Sequence, residues 1–168
     1  PNTLLRDALT RAAVYRAVAI TALGEEYTPI GHLVDERTIV NGVIGLNATG
    51  GSTNHLLHLV AVARAAGIIL TLEDFDAISA VVPLLARVYP NGSADVNHFH
   101  QSGGMPFLIG SLLDAGLLHG DVRTVWGEGM APYRRMPALD ADGKLVWNEV
   151  VASSNMDVLR PAAEPFRA

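Results

Sequence analysis

Cysteine is missing altogether from these 168 residues. Its absence excludes disulfides, thiolate-bound zinc and any iron–sulfur cluster held by thiolates of this chain. Aromatic residues are few, at 6%, and charge is thin, with 12 Lys and Arg against 17 Asp and Glu for a formal net charge of −5. The basic residues are scattered, so there is no patch for nucleic acid to bind. No hydrophobic run is long enough to span a bilayer: the stretch from Ile39 to Leu46 is short and broken by Gly42 and Gly45, which argues against a membrane role. A start methionine and a signal-peptide pattern are also lacking, since Pro1-Asn2-Thr3 runs straight into charged, helix-like sequence. The expectation is an internal piece of a longer, cytoplasmic protein. What is plentiful is apolar side chain, 49% of residues, enough for one sizeable core in a chain too short for two ordinary domains.

The most informative stretch is Ala48-Thr49-Gly50-Gly51-Ser52-Thr53-Asn54-His55. Paired glycines accept backbone angles closed to other residues and let a ligand approach the main chain, and Ser52, Thr53 and Asn54 are helix-capping side chains. The segment reads as a glycine hinge and hydroxyl-rich cap whose free N–H groups can hold an anion. A purely structural kink fits it equally well, because it matches neither the dinucleotide fingerprint nor the P-loop. The residues that follow, Leu56, Leu57, Leu59, Val60, Ala61, Val62 and Ala63, are apolar nearly all round and predict a buried helix, with Gly67 as its stop.

Elsewhere, Thr3 caps a helix predicted to end at Gly24, and Asp35 caps a second that carries Ile39, Val40, Val43, Ile44 and Leu46. Ile68 to Leu72 reads as a short extended piece, followed by an acidic helical turn to Ile78. Val81 to Tyr89 is β-branched enough for a strand, edge-placed because of Pro83. Pro90-Asn91-Gly92-Ser93 is a turn. A polar segment from Asp95 to Gln101 precedes a second glycine pair, Gly103-Gly104, and a helix from Met105 to Leu113 closed by Gly116. Asp140 to Lys144 is a turn before a strand at Leu145-Val146-Trp147, and the tail from Ala152 shows no core pattern. Together these predict an α/β fold, predominantly helical. It forms a single partial domain with a helical core at about 3–118 and an irregular, β-containing tail at about 121–168.

Asn97-His98-Phe99-His100-Gln101 is the densest polar cluster, able to supply a general base or hydroxyl contacts. His98 and His100 would point to opposite sides of an extended segment, and hydrogen-bonded histidines explain them better than a metal pair. His55 and His58 share a helix face without a third ligand, so no metal site is expected. Asp35-Glu36 and Glu73-Asp74 are helix-start carboxylates favoured by the dipole. Asp140 to Gly143 lacks the remaining ligands of a calcium loop and is a turn.

Several of these runs resemble one family. They are Pro1 to Leu9, the segment 48–55 with His58-Leu59-Val60-Ala61, Val82-Pro83-Leu84-Leu85-Ala86-Arg87-Val88-Tyr89-Pro90-Asn91-Gly92, Ala94-Asp95-Val96-Asn97-His98-Phe99, and Ala115 to His119 with Asp121-Val122. Nearly the whole chain is similar to the dihydroxyacid/sugar-acid dehydratase family. Leu5, where the family often has proline, and Gly120, where it usually has an acidic residue, are local departures. Asn97-His98-Phe99 points to the branch acting on 6-phosphogluconate, since the branched-chain dihydroxyacid branch usually carries an Asp-Leu-His-Arg-type sequence there.

The resemblance implies a segment of the cluster-bearing N-terminal α/β domain of a hydro-lyase. That enzyme would dehydrate 6-phospho-D-gluconate to 2-keto-3-deoxy-6-phosphogluconate in the Entner–Doudoroff pathway, with a 4Fe-4S cluster as Lewis acid. The family allows a divalent metal as well. The ligands and the serine base lie outside this chain. Implied partners are a sugar-acid phosphate, the remaining domains of the same enzyme and a second subunit in a homodimer, with neither nucleic acid nor membrane. The segment's own share is binding by Gly50, Gly51, Ser52, Thr53 and Asn54, with Asn97 and His98 as second candidates. It has no catalytic residue and is inactive alone. A related sugar-acid or dihydroxyacid dehydratase, and a purely structural or dimer-interface segment, are the alternatives.

Overall fold

The computed structural model describes residues 3–167; Pro1 and Asn2, the start of the family-like N-terminal run, and Ala168 lie outside them. Helices come first: α1 (Leu4–Ala19), α2 (Glu36–Thr49), α3 (Thr53–Ala65), α4 (Leu72–Ser79), α5 (Val96–Gln101) and α6 (Gly104–Asp114). Four short strands follow, β1 (Arg123–Thr124), β2 (Gly127–Glu128), β3 (Arg135–Leu139) and β4 (Leu145–Glu149). They form two antiparallel pairs, β1 with β2 and β3 with β4, Arg135 facing Glu149 and Leu139 facing Leu145. The structure is thus mostly helical with small antiparallel sheets. No helix among the described residues is long and apolar enough to cross a membrane.

The helix starts follow their caps. Asp35 accepts from Thr38 N–H while the Thr38 hydroxyl receives the Asp35 N–H, and Thr71 and Asp74 do the same for α4, which satisfies donors that a helix start leaves without intrahelical acceptors. Ile39, Val43, Ile44, Leu46 and Ala48 make α2 the central helix. Ile44 and Ala48 join Leu85, Phe107, Leu108, Leu112 and Leu159 in the main core, and Val43, Leu46 and Phe75 form a second cluster under α3.

Four expectations need correction, and one segment left unassigned gains a structure. α1 ends at Ala19, and Gly24 sits in the turn after it, so close to Ala19 that a Cβ would lie 2.2 Å from its carbonyl oxygen. α3 is not buried all round: Leu56, Leu59 and Val60 pack on the second cluster, but only Ala63 is fully buried, and Leu57 and Val62 are 64% and 47% exposed. The described residues cover one of its two apolar sides. Val81 to Tyr89 makes no ladder. It forms isolated bridges, Leu84 with Arg167, Ala86 with Leu159 and Val88 with Ala94, because the facing segment turns out between residues 159 and 167, where Pro161 and Pro165 have no N–H to donate. Asp95 to Gln101, read only as a polar segment, is helical, so His98 and His100 are not on the opposite sides that an extended segment would give them; Asp95 caps the helix through the N–H groups of Asn97 and His98. Finally, the tail does enter the core, with Val158 and Leu159 buried.

Candidate functional site

The site begins where α2 stops. A helix end leaves carbonyls without partners, and here every one from Leu46 to Ala48 finds a donor. Gly50 takes φ +58, its N–H bonds the Asn47 carbonyl and that of Gly51 bonds the Leu46 carbonyl, at 3.1 and 2.9 Å. This is the paired closure that left-handed glycines make. The Ala48 carbonyl receives the N–H groups of Leu85 and Ala86. Asn91 Nδ2 then donates to the Gly50 carbonyl at 2.7 Å. The 84–91 segment is in this way bolted to the end of α2.

Ser52 opens α3 at once: its hydroxyl oxygen accepts from Asn54 N–H at 3.1 Å and its carbonyl from His55 N–H. The glycine N–H groups are therefore already engaged in closing α2. The donors without a protein acceptor among the described residues are those of Ser52 and Thr53.

Beside this double turn lies a cleft of about 610 Å³, walled by Gly50, Gly51, Ser52 and Thr53 on one side and by Ser79, Leu84, Asn91 and Arg167 on the other. Its volume is that of a small-molecule site. Asn54 is exposed and does not line it. Asn97 and His98, also exposed on α5, are not brought to it either; the α5 residues that reach the glycine turn are Val96 and Phe99, across a smaller cavity of about 240 Å³. His98 closes its own helix start: Nδ1 accepts the Asp95 N–H at 3.2 Å and lies 3.0 Å from an Asp95 carboxylate oxygen. The His98 backbone N–H, above all, holds the Asp95 carboxyl below its ordinary range, a charge favoured at a helix start.

Two lining residues carry chemistry that the sequence reading did not assign. Asn91 stood inside a recognised Pro-Asn-Gly turn, but nothing local says that its amide reaches 41 positions back. Arg167 stood in the tail and had no signal at all. Its backbone is placed by two bonds to Leu84, with Leu84 N–H donating to Arg167 O and Phe166 N–H to Leu84 O, each at 2.9 Å. None of the residues lining the cleft is His, Cys, Asp, Glu or Lys. It can hold an anion, but its hydroxyls, those of Ser52, Thr53 and Ser79, have no His, Lys or carboxylate among the described lining residues to turn one of them into a base.

The sequence model of the dihydroxy-acid/6-phosphogluconate dehydratase N-terminal family matches residues 1–133. The chain is 60% identical over 168 residues to a phosphogluconate dehydratase of Rhizobium meliloti (strain 1021), covering 99% of this chain and 28% of that protein. It is 51% identical to the phosphogluconate dehydratase of Escherichia coli (strain K12), again with 99% and 28% covered. A dihydroxy-acid dehydratase of Acaryochloris marina is 36% identical over 149 residues, 86% of this chain and 26% of that protein. The chain thus spans between a quarter and a third of the length of the curated relatives it matches.

Proposed function

Because the chain belongs to the dihydroxy-acid/6-phosphogluconate dehydratase family, we propose that it is the substrate-holding part of a hydro-lyase acting on 6-phospho-D-gluconate. The reaction breaks the C2–H and C3–O bonds, releases water and leaves an enol that tautomerises to 2-keto-3-deoxy-6-phosphogluconate, an Entner–Doudoroff step. The higher identity to the phosphogluconate relatives than to the dihydroxy-acid relative supports this substrate over a branched-chain dihydroxy acid.

Within that enzyme, the turn at Gly50, Gly51, Ser52 and Thr53 meets an anionic end of the sugar acid, with Asn54 fixing the start of α3. Asn97 and His98 remain second candidates, reached only by substrate or protein outside the cleft. The residues at hand do not fit the family's iron–sulfur cluster: the chain has no cysteine, and among the described residues no three of His, Cys, Asp and Glu are grouped to hold a metal. In this reading the cluster, any divalent metal and the base are carried by other parts of a cytoplasmic, homodimeric enzyme. Residues 1–168 are one partial domain of it.

The observation that carries the reading is the cleft built on the glycine-hydroxyl turn of a chain with these relatives. Its test is an assay of the full-length enzyme on 6-phospho-D-gluconate, with Ser52→Ala and Asn54→Ala beside it. Ser52→Ala is expected to raise KM several-fold, in addition to the modest fall in melting temperature that loss of the α3 cap brings, whereas Asn54→Ala, outside the cleft, leaves KM near that of the wild type. A second reading, in which the turn is scaffold only, is favoured by the engagement of both glycine N–H groups in closing α2. It is the answer if the two variants lower the melting temperature and leave KM and kcat alone.

A further inference from the structure

One cation faces the 610 Å³ cleft, and it is Arg167, the only charged residue among the described residues lining it. Arg16, Arg37, Arg123 and Arg134 each have a carboxylate within ion-pair distance, at 2.5, 2.8, 3.4 and 2.7 Å; Arg167 is among the basic residues with no such partner among the described residues, and of those it alone lines the cleft. In a chain with five more acidic than basic residues, a guanidinium at a cleft mouth without a carboxylate beside it favours an anionic ligand there.

Its mount is firm. Besides the two backbone bonds to Leu84, the preceding ring of Phe166 is stacked by the guanidiniums of Arg87 and Arg160, at 4.7 and 4.5 Å from its centroid, contacts that pin an aromatic ring. Around the cleft, among the described residues, the other free donors are neutral: the Thr53 hydroxyl, the N–H groups of Ser52 and Thr53 and the second amide proton of Asn91, whereas the Ser79 hydroxyl already donates to the Asp76 carbonyl. An arginine with several neutral donors suits a phosphate, whose three terminal oxygens take more hydrogen bonds than a carboxylate.

The chemistry of the reaction picks the same end. The proton is lost from the carbon next to the carboxylate, so that end must lie beside an activated base, and no hydroxyl lining this cleft has a His, Lys or carboxylate among the described lining residues to activate it. The end left for it is the one remote from the reacting carbons. We propose that Arg167 is a specificity-determining residue that holds the phosphate end of the sugar acid. This rests on the dehydratase reading given above.

The test uses the full-length enzyme and its Arg167→Met and Arg167→Lys variants, with 6-phospho-D-gluconate and unphosphorylated D-gluconate as substrates and inorganic phosphate as inhibitor. Arg167→Met is expected to lower kcat/KM for the phosphorylated acid at least tenfold more than for gluconate, through KM. Arg167→Lys keeps the charge and loses the fork, so two- to fivefold is expected. Phosphate should compete with 6-phospho-D-gluconate and bind the wild type at least fivefold more tightly than either variant. Equal losses on the two acids, or phosphate inhibition that is absent, non-competitive or unchanged in the variants, overturn the proposal. If Arg167→Met does not fold, the lysine variant and the wild-type competition pattern decide. A wild type without activity on 6-phospho-D-gluconate defeats the dehydratase reading instead, and direct phosphate binding by wild type and variants then still reports on Arg167.

Discussion

Gly50 shows how much one residue carries. A side chain there would adopt φ +58, a conformation that costs an L-residue about 1–2 kcal/mol, and its Cβ would lie 2.0 Å from Asn91 Nδ2. Gly50→Ala is expected to lower the stability of the chain by about 1–3 kcal/mol in urea titrations. Removing the obstacle should return part of this, so Gly50→Ala with Asn91→Ala should cost less than the two single losses added. Strict additivity would count against the clamp. Leu108, fully buried on α6, sets a reference: Leu108→Ala should cost about 2–5 kcal/mol, while Leu57→Ala, mostly exposed, should stay within about 0.5 kcal/mol. That Gly50 needs a positive φ was legible from the Gly-Gly pair. Which helix the pair serves was not, because a glycine between two helical patterns can close the first or open the second with the same residues.

Among the elements, α2 and α3 obeyed their caps and stops closely. Asp35, Ser52 and Thr71 stand at the helix starts, and Gly67 and Gly116 follow the ends of α3 and α6, since capping is local chemistry that a sequence displays. The caps also make the fold sensitive to acid. Asp35 is held below its ordinary value of 3.8 chiefly by the Thr38 N–H, Asp74 by that of Thr71 and Asp95 by that of His98. A depressed folded value means the unfolded chain binds protons first. The stabilisation is therefore complete above about pH 4 and is lost as pH falls through the lower folded values. Asp35→Asn keeps a capping side chain without its charge. Its stability deficit against the wild type, read by urea unfolding at pH 7 and pH 3, should shrink at the lower pH. A deficit that stays constant would mean that the charge contributes nothing. The 81–89 segment was misread as a strand for a different reason: its own β-branched residues are suitable, but bridging depends on partners near residues 159 and 167 that contain two prolines.

On the scale of the molecule, apolar surface is the unresolved account. α1 has no buried residue, with Val14, Tyr15 and Val18 more than half exposed, and Trp126 and Trp147 meet edge to face while remaining partly open. Contiguous exposed apolar surface of this kind favours association. The 168-residue chain on its own is expected to self-associate at micromolar concentration in light scattering and to bind a hydrophobic dye while folded. It should show no dehydratase turnover, because the cleft holds no activated base among its described lining residues; measurable turnover by the purified chain would sink the division of labour proposed for it.

Composition, caps, stops and the family-like runs by themselves determined that this is a mostly helical dehydratase segment with its glycine-hydroxyl turn at residues 50–54. These are properties of near neighbours in the chain, set by backbone conformation and side-chain type. Only the tertiary structure decided that the glycine N–H groups close α2, that Asn91 clamps the turn from 41 residues away, and that Arg167 arrives from the tail as the cation of the cleft. The last two depend on hydrogen bonds between distant segments, and no local pattern encodes which distant donor meets which carbonyl; the first is a local closure, but the same glycines could have opened α3 instead, and only the folded chain shows which helix they serve.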